Sequence, residues 1–187
     1  MPKIADIEKT PNPNAMKFVL REPLTQGVVR SYENAQQAAG DPLASALFGI
    51  PHVTNVFYVD RWLTVTQDGV ADWDELLKQL AVPIREADAA ATRAAVPGQP
   101  GISAQPAGLS VEDTLRLAQI NLLLDEKVRP ALLADGGGIE VLNLEANRLT
   151  VRYHGACGTC PSSTMVTLNA IENLLHTVEP DLEVVAA

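Results

Sequence analysis

The stretch PIREADAAATRAAVPGQPGISAQPAG, residues 83–108, limits most strongly what this chain can fold into. It is rich in Ala, Pro and Gly and has almost no large apolar side chain to hold it in a core. Its Ala-rich start reads as a fraying helix, and Val96 to Gly108 as a linker. A chain broken in this way builds two small cores rather than one large one. With 187 residues in all, there is length enough for two small domains. The division expected is 1–82, a linker at 83–109, and 110–187.

The first piece alternates in β fashion. PNPN at 11–14 is turn chemistry, and Met16, Phe18 and Leu20 after it share one strand face. A second short strand is expected at Val28 to Tyr32. Residues 33–48 look helical, with interruptions at Gly40 and Pro42. VTNVFYVD and WLTVTQ read as a hairpin turning at Asp60 and Arg61. Asp72 with Glu75 three residues on is a capping signature, and Trp73, Leu76, Leu77 and Leu80 give the following helix its apolar face. The order is β-β-α-β-β-α.

The second piece opens with another capping pair, Ser110 and Asp113, ahead of a helix whose buried face is expected at Leu115, Ala118 and Leu122. Pro130 is expected to bend or end this helix, and ADGGG at 134–138 to stop any helix beyond the proline. IEVLNLE and LTVRYH form a hairpin across Ala146 to Arg148, with Leu149, Val151 and Tyr153 on one face. A helix is expected from Pro161 to about Thr177, buried through Met165, Leu168, Ile171 and Leu175. LEVVAA adds a last edge strand. The order is α-β-β-α-β, so the fold class is α+β in two small domains. No repeat relates the halves.

The formal charge of −9 and the lack of a Lys/Arg cluster argue against binding nucleic acid by bulk electrostatics. No run approaches the ~20 apolar residues that span a membrane. The opening MPKIADIEKT has neither an apolar signal core nor an Arg-rich transit pattern, so a cytoplasmic location is expected. In a reducing cytosol a structural disulfide is disfavoured, and C-x-x-C points to metal or redox chemistry.

The chain has two cysteines, Cys157 and Cys160, in YHGACGTCPSST. Pro161 suits the first position of a helix, which makes Cys160 its N-cap and leaves Cys157 in the loop before it. The helix dipole then favours thiolate on both. Gly155, Ala156 and Gly158 keep the loop slim, and backbone N–H groups there could bond a bound group. Ser162, Ser163 and Thr164 read as ordinary first-turn residues. His154 is expected to be exposed on its strand, opposite in phase to Tyr153, and His52 and His176 have no ligand spacing to the cysteines. A tetrahedral zinc or an Fe–S cluster commonly takes four protein ligands. Two chains meeting across a two-fold axis would supply four thiolates. Four readings stay open on these residues: a shared and releasable cluster, a dithiol oxidoreductase, a zinc-bridged structural dimer, and two incidental cysteines.

GACGTCPSSTMVTLNAIENLL, with VRPALLADGGGIEVLNLE before it, resembles the C-terminal domain of NifU-like proteins, the Nfu family of iron–sulfur cluster scaffolds and carriers. TPNPNAMKF at 10–18 and ALFGIPHVTNVFYVDRWLTVT at 46–66 are similar to the Nfu N-terminal domain. Many relatives carry a basic residue and a glycine where this chain has Leu168 and Ala170, which leaves the site less electropositive. The resemblance implies a [4Fe–4S] cluster held between two subunits by Cys157 and Cys160 of each, in a homodimer that forms with the cluster. It implies transfer to apo-proteins after loading from an upstream donor, and a scaffold rather than an enzyme. The N-terminal domain would serve client recognition. TPNPNAMKF also has a plainer role as a turn, with Lys17 solvated on the strand beside it.

Overall fold

A computed structural model describes residues 3–88, 92, 110–158 and 161–187, with backbone alone for 161–166. Most of the expected linker lies outside the described residues.

The N-terminal unit is one antiparallel sheet with helices on one side. Its strands are β1 (Ile4–Lys9), β2 (Ala15–Leu20), β3 (Arg30–Tyr32), β4 (Val53–Val59) and β5 (Trp62–Gln67), in the order β1-β2-β5-β4-β3. A 3₁₀ turn, Gln37–Gly40, precedes α1 (Pro42–Phe48), and α2 runs Trp73–Glu86. The break at Gly40 and Pro42, the β4–β5 hairpin and the Asp72 cap are all as the sequence pattern requires; Asp72 accepts from the Asp74 and Glu75 amides. Strand β1 was not expected. It pairs with β2 across the PNPN turn, and five of its six residues are exposed, so no apolar alternation marks it. Met16, Phe18, Leu20, Val56, Tyr58, Leu63 and Val65 point to the helices and pack on Leu43, Leu47, Leu76, Leu80 and Ile84. Asp41 ties this core to α1. It accepts from the Ala44 amide at 2.9 Å, from Tyr32 Oη at 3.0 Å, from Arg30 Nη1 at 3.2 Å, and from Tyr58 Oη. A fully buried carboxylate is tolerable only with such a set of donors.

The C-terminal unit is α3 (Val111–Leu123), one wide π turn (Leu124–Val128), α4 (Arg129–Ala134), the hairpin β6 (Gly137–Glu145) and β7 (Arg148–Gly155), α5 (Pro161–Leu175), and β8 (Glu183–Ala186). Strand β8 lies parallel to β7 at the sheet edge. Ser110 caps α3 by accepting from the Asp113 amide at 3.0 Å. Pro130 does not end the helix; it follows the wide turn, and α4 continues. The buried face of α3 differs from the expectation. Leu115 and Leu122 are 64% and 69% exposed, and Ala118 faces solvent, while Leu117, Ile120, Leu124, Val128 and Leu132 form the core stripe. Both stripes have helical spacing, but the second runs on through the wide turn into α4 and so buries more. Leu149, Val151, Tyr153, Ile171 and Leu175 complete this core, with Leu168 half-buried against it.

The two units touch. Strands β4 and β5 lie against β7, so the N-terminal sheet is covered on its second face by one end of the C-terminal sheet. Lys17, on that second face, is only 6% exposed, which overturns its expected solvation. Its ammonium donates to Ala134 O and pairs with Glu8, both at 2.6 Å.

Candidate metal centre

The cysteine loop is built on glycines. Gly136, at φ +81°, turns the chain out of α4, and Gly155, at φ +64°, turns it out of β7; side chains rarely adopt either conformation. The Ala156 amide donates to Gly136 O at 3.1 Å and the Gly158 amide to Gly155 O at 3.2 Å, so both N–H groups are committed to the loop itself. A methyl on Gly137 would fall 2.6 Å from Cys157 Sγ, and one on Gly158 2.8 Å from Tyr153 O. The sulfur thus rests on the bare backbone of Gly137 and packs, half-buried, at the margin of the core. Tyr153 lies beneath the loop; burial, with Cys157 beside it, pushes its phenol well above the ordinary range.

The helix after the cysteines begins at Pro161, as the proline rule requires. Cys160, the second expected ligand and N-cap, lies outside the described residues, as do the side chains of Ser162, Ser163 and Thr164. Among the described residues no three His, Cys, Asp or Glu side chains gather at one point. A thiol on a slim loop ahead of a helix is the donor type that Fe–S clusters and zinc take.

His154 is not the exposed strand histidine expected. It is 9% exposed, and its Nε2 lies 3.1 Å from Glu140 Oε2, itself on a buried side chain. It does point opposite to Tyr153, but that face is covered by the N-terminal unit at this end, while Arg152 two residues earlier stays exposed. His52 pairs with Asp68 at 2.9 Å, and His176 Nε2 lies 2.8 Å from Leu182 O.

Two residues at the site escape a reading of the second unit alone. Asn12, in the PNPN turn, donates from Nδ2 to Ala156 O at 3.1 Å, the carbonyl directly before Cys157. Phe57 closes on Gly155, where a methyl would meet its ring at 2.9 Å. The signal for Asn12 was the conspicuous TPNPNAMKF stretch, whose partner could not be named from sequence; Phe57 lies in VTNVFYVD, where alternation places it opposite the core face without saying what covers it.

Residues 4–90 match the profile of the scaffold protein Nfu/NifU N-terminal domain, and residues 120–185 that of the NifU-like domain. The chain is 31% identical to the human mitochondrial NFU1 iron–sulfur cluster scaffold homolog over 94% of its own length and 68% of that protein. It is 30% identical to the mitochondrial NifU-like protein 4 of Arabidopsis thaliana, over 90% of its own length and 60% of that one. It therefore spans somewhat under two thirds of the plant relative. A solution NMR structure of a Staphylococcus epidermidis protein is 33% identical over 46% of this chain and 99% of that one, at a TM-score of 0.36, too loose to carry an argument. The expected cytoplasmic location does not stand, because these curated relatives are named as mitochondrial proteins. The chain belongs to the Nfu/NifU family of scaffold proteins.

Proposed function

We propose that the protein is an iron–sulfur cluster scaffold and carrier. Its cargo is a [4Fe–4S] cluster held between two copies of the chain by Cys157 and Cys160 of each, and handed to apo-proteins. The observation that carries this is the thiol of Cys157, seated on a glycine-built loop ahead of the Pro161 helix, in a chain with two cysteines in all. A cluster commonly takes four thiolates, and two chains supply four. The name of the human relative, an iron–sulfur cluster scaffold homolog, supports the iron–sulfur part of this reading. Ligands shared between subunits on surface loops favour release, which suits a carrier better than an enzyme.

Anaerobic reconstitution, with iron and sulfide analysis and native mass, tests the proposal. The expected product is about four irons and four sulfides per two chains. Cys157→Ser and Cys160→Ser should each lose the cluster and the cluster-dependent dimer together. No cluster, or a cluster on a single chain, would overturn it. Turnover of a disulfide substrate by iron-free protein would favour the dithiol oxidoreductase instead.

A further inference from the structure

The N-terminal sheet is buried on both faces along β2, β5 and β4, but the two faces are unlike. The face toward α1 and α2 is apolar. The other carries, in one row across the five strands, Glu8, Lys17, Thr64, Phe57 and Ser31, with Ala15, Thr66 and Asn55 in the next row. On this second face Ser31 Oγ, Asn55 Oδ1, Thr64 Oγ1 and Thr66 Oγ1 are buried with no hydrogen-bond partner among the described residues. Such atoms give up water on docking and gain nothing in return. A permanently covered sheet face is apolar; this one is suited to spending part of its time in water.

What holds the face down is concentrated at the cysteine loop. Asn12 donates to Ala156 O and Lys17 to Ala134 O, on either side of the glycine turn. Thr64 and Thr10 sit over Gly136, and Phe57 over Gly155, so closely that a methyl on either glycine would stand within 3.0 Å of them.

We propose that the N-terminal unit is a reversible clasp on the cysteine loop, latched by Asn12 and kept weak by the unpaired polar atoms of the facing sheet. Docked, it pins the carbonyl before Cys157 and holds the loop against Gly136 and Gly137. Undocked, it frees the loop and bares a hydroxyl-rich face with one lysine and one phenylalanine. Asn12 is then a positioning residue for Cys157. The consequence for cargo, that the loop accepts or yields a cluster when the clasp opens, rests on the carrier reading above.

Two substitutions move the clasp in opposite directions. Asn12→Asp keeps the Oδ1 that accepts from the Asn14 amide at 3.0 Å, so the turn survives, but it loses the donor to Ala156 O. Thr64→Val removes a buried hydroxyl that has no partner among the described residues. Both are made in the full chain with Cys160→Ser, so that Cys157 is the one thiol, and are read without iron. The measurements are the alkylation rate of Cys157 by iodoacetamide and amide exchange across 155–158 and β1–β5. Asn12→Asp should speed alkylation and Thr64→Val slow it, each on the order of tenfold. Exchange in β1–β5 should rise no more than the loss of one covered face explains. Equal rates in both variants and parent, or shifts in the same direction, would overturn the clasp. So would a collapse of protection throughout β1–β5 in Asn12→Asp, which would make Asn12 a support of the sheet. Because the test uses iron-free protein, a chain that never binds a cluster would sink the carrier reading and leave this result standing.

Discussion

Gly137→Ala is the sharpest probe of the cysteine loop. Gly137 opens β6 and is outside the left-handed region, so alanine meets no backbone strain there. The objection is steric: the new methyl would lie 2.6 Å from Cys157 Sγ, 2.7 Å from His154 O and 3.0 Å from Cys157 Cβ. The His154 carbonyl belongs to a strand paired with Gly138 and cannot retreat without breaking the hairpin. The sulfur, on a loop, can move. Overpacking of this kind costs about 1–3 kcal/mol, and here the displaced group is the proposed ligand itself. Urea unfolding should show that loss as a lower midpoint at unchanged slope. Iron and sulfide after reconstitution should fall to the level of Cys157→Ser. Gly27→Ala is the control: at φ +70° with nothing within 4 Å, it costs about 1–2 kcal/mol of backbone strain and should leave iron uptake untouched. Full cluster loading by Gly137→Ala, with stability within about 0.5 kcal/mol of the parent, would refute the placement of Cys157 against Gly137.

Two other outcomes rest on the cores. All three tyrosines, Tyr32, Tyr58 and Tyr153, have phenols pushed above the ordinary range, first by burial and then by Asp41 beside the first two and Cys157 beside the third. A raised phenol favours the neutral form, so its contribution to stability is complete below the unfolded value of about 10 and fades as pH rises toward the folded one. The phenolate absorbance should therefore stay silent to about pH 11 and appear with unfolding; a normal titration in protein with native circular dichroism would contradict the burial. On α3, Leu117→Ala should cost about 2–5 kcal/mol in urea unfolding, while Leu122→Ala stays within about 0.5 kcal/mol; equal losses would return the buried face to Leu122.

Local patterns in the sequence carried far. The alternation of Met16, Phe18 and Leu20, the hairpin at Asp60, the caps at Asp72 and Ser110, and the helix start at Pro161 all depend on neighbours within a few residues. What failed depended on distance. Lys17 and His154 sit on strand faces opposite to a core, and alternation says which face they share but not that another unit covers it. Helix α3 offered two apolar stripes, and the deciding residues, Val128 and Leu132, lie around a proline that would ordinarily end a helix. Strand β1 is held by pairing along one edge, with scarcely a buried side chain to announce it. At the site, the thiol loop and its glycines were legible, whereas the grip of Asn12 on Ala156 joins residues 144 apart.

The wide turn at Leu124–Val128 has a bearing on how this chain can change in length. In an unbroken α-helix the ring of Pro130 would strike the carbonyl of Glu126, at a cost of about 3 kcal/mol or more. A π turn is equivalent to one residue inserted into the helix, and here it stands directly before the proline. The insertion and the proline are therefore a matched pair. Deleting one residue from 124–128 drives the ring back onto the carbonyl, whereas the same deletion with Pro130→Ala closes the segment as ordinary α-helix. Variation in this segment is tolerated two changes at a time.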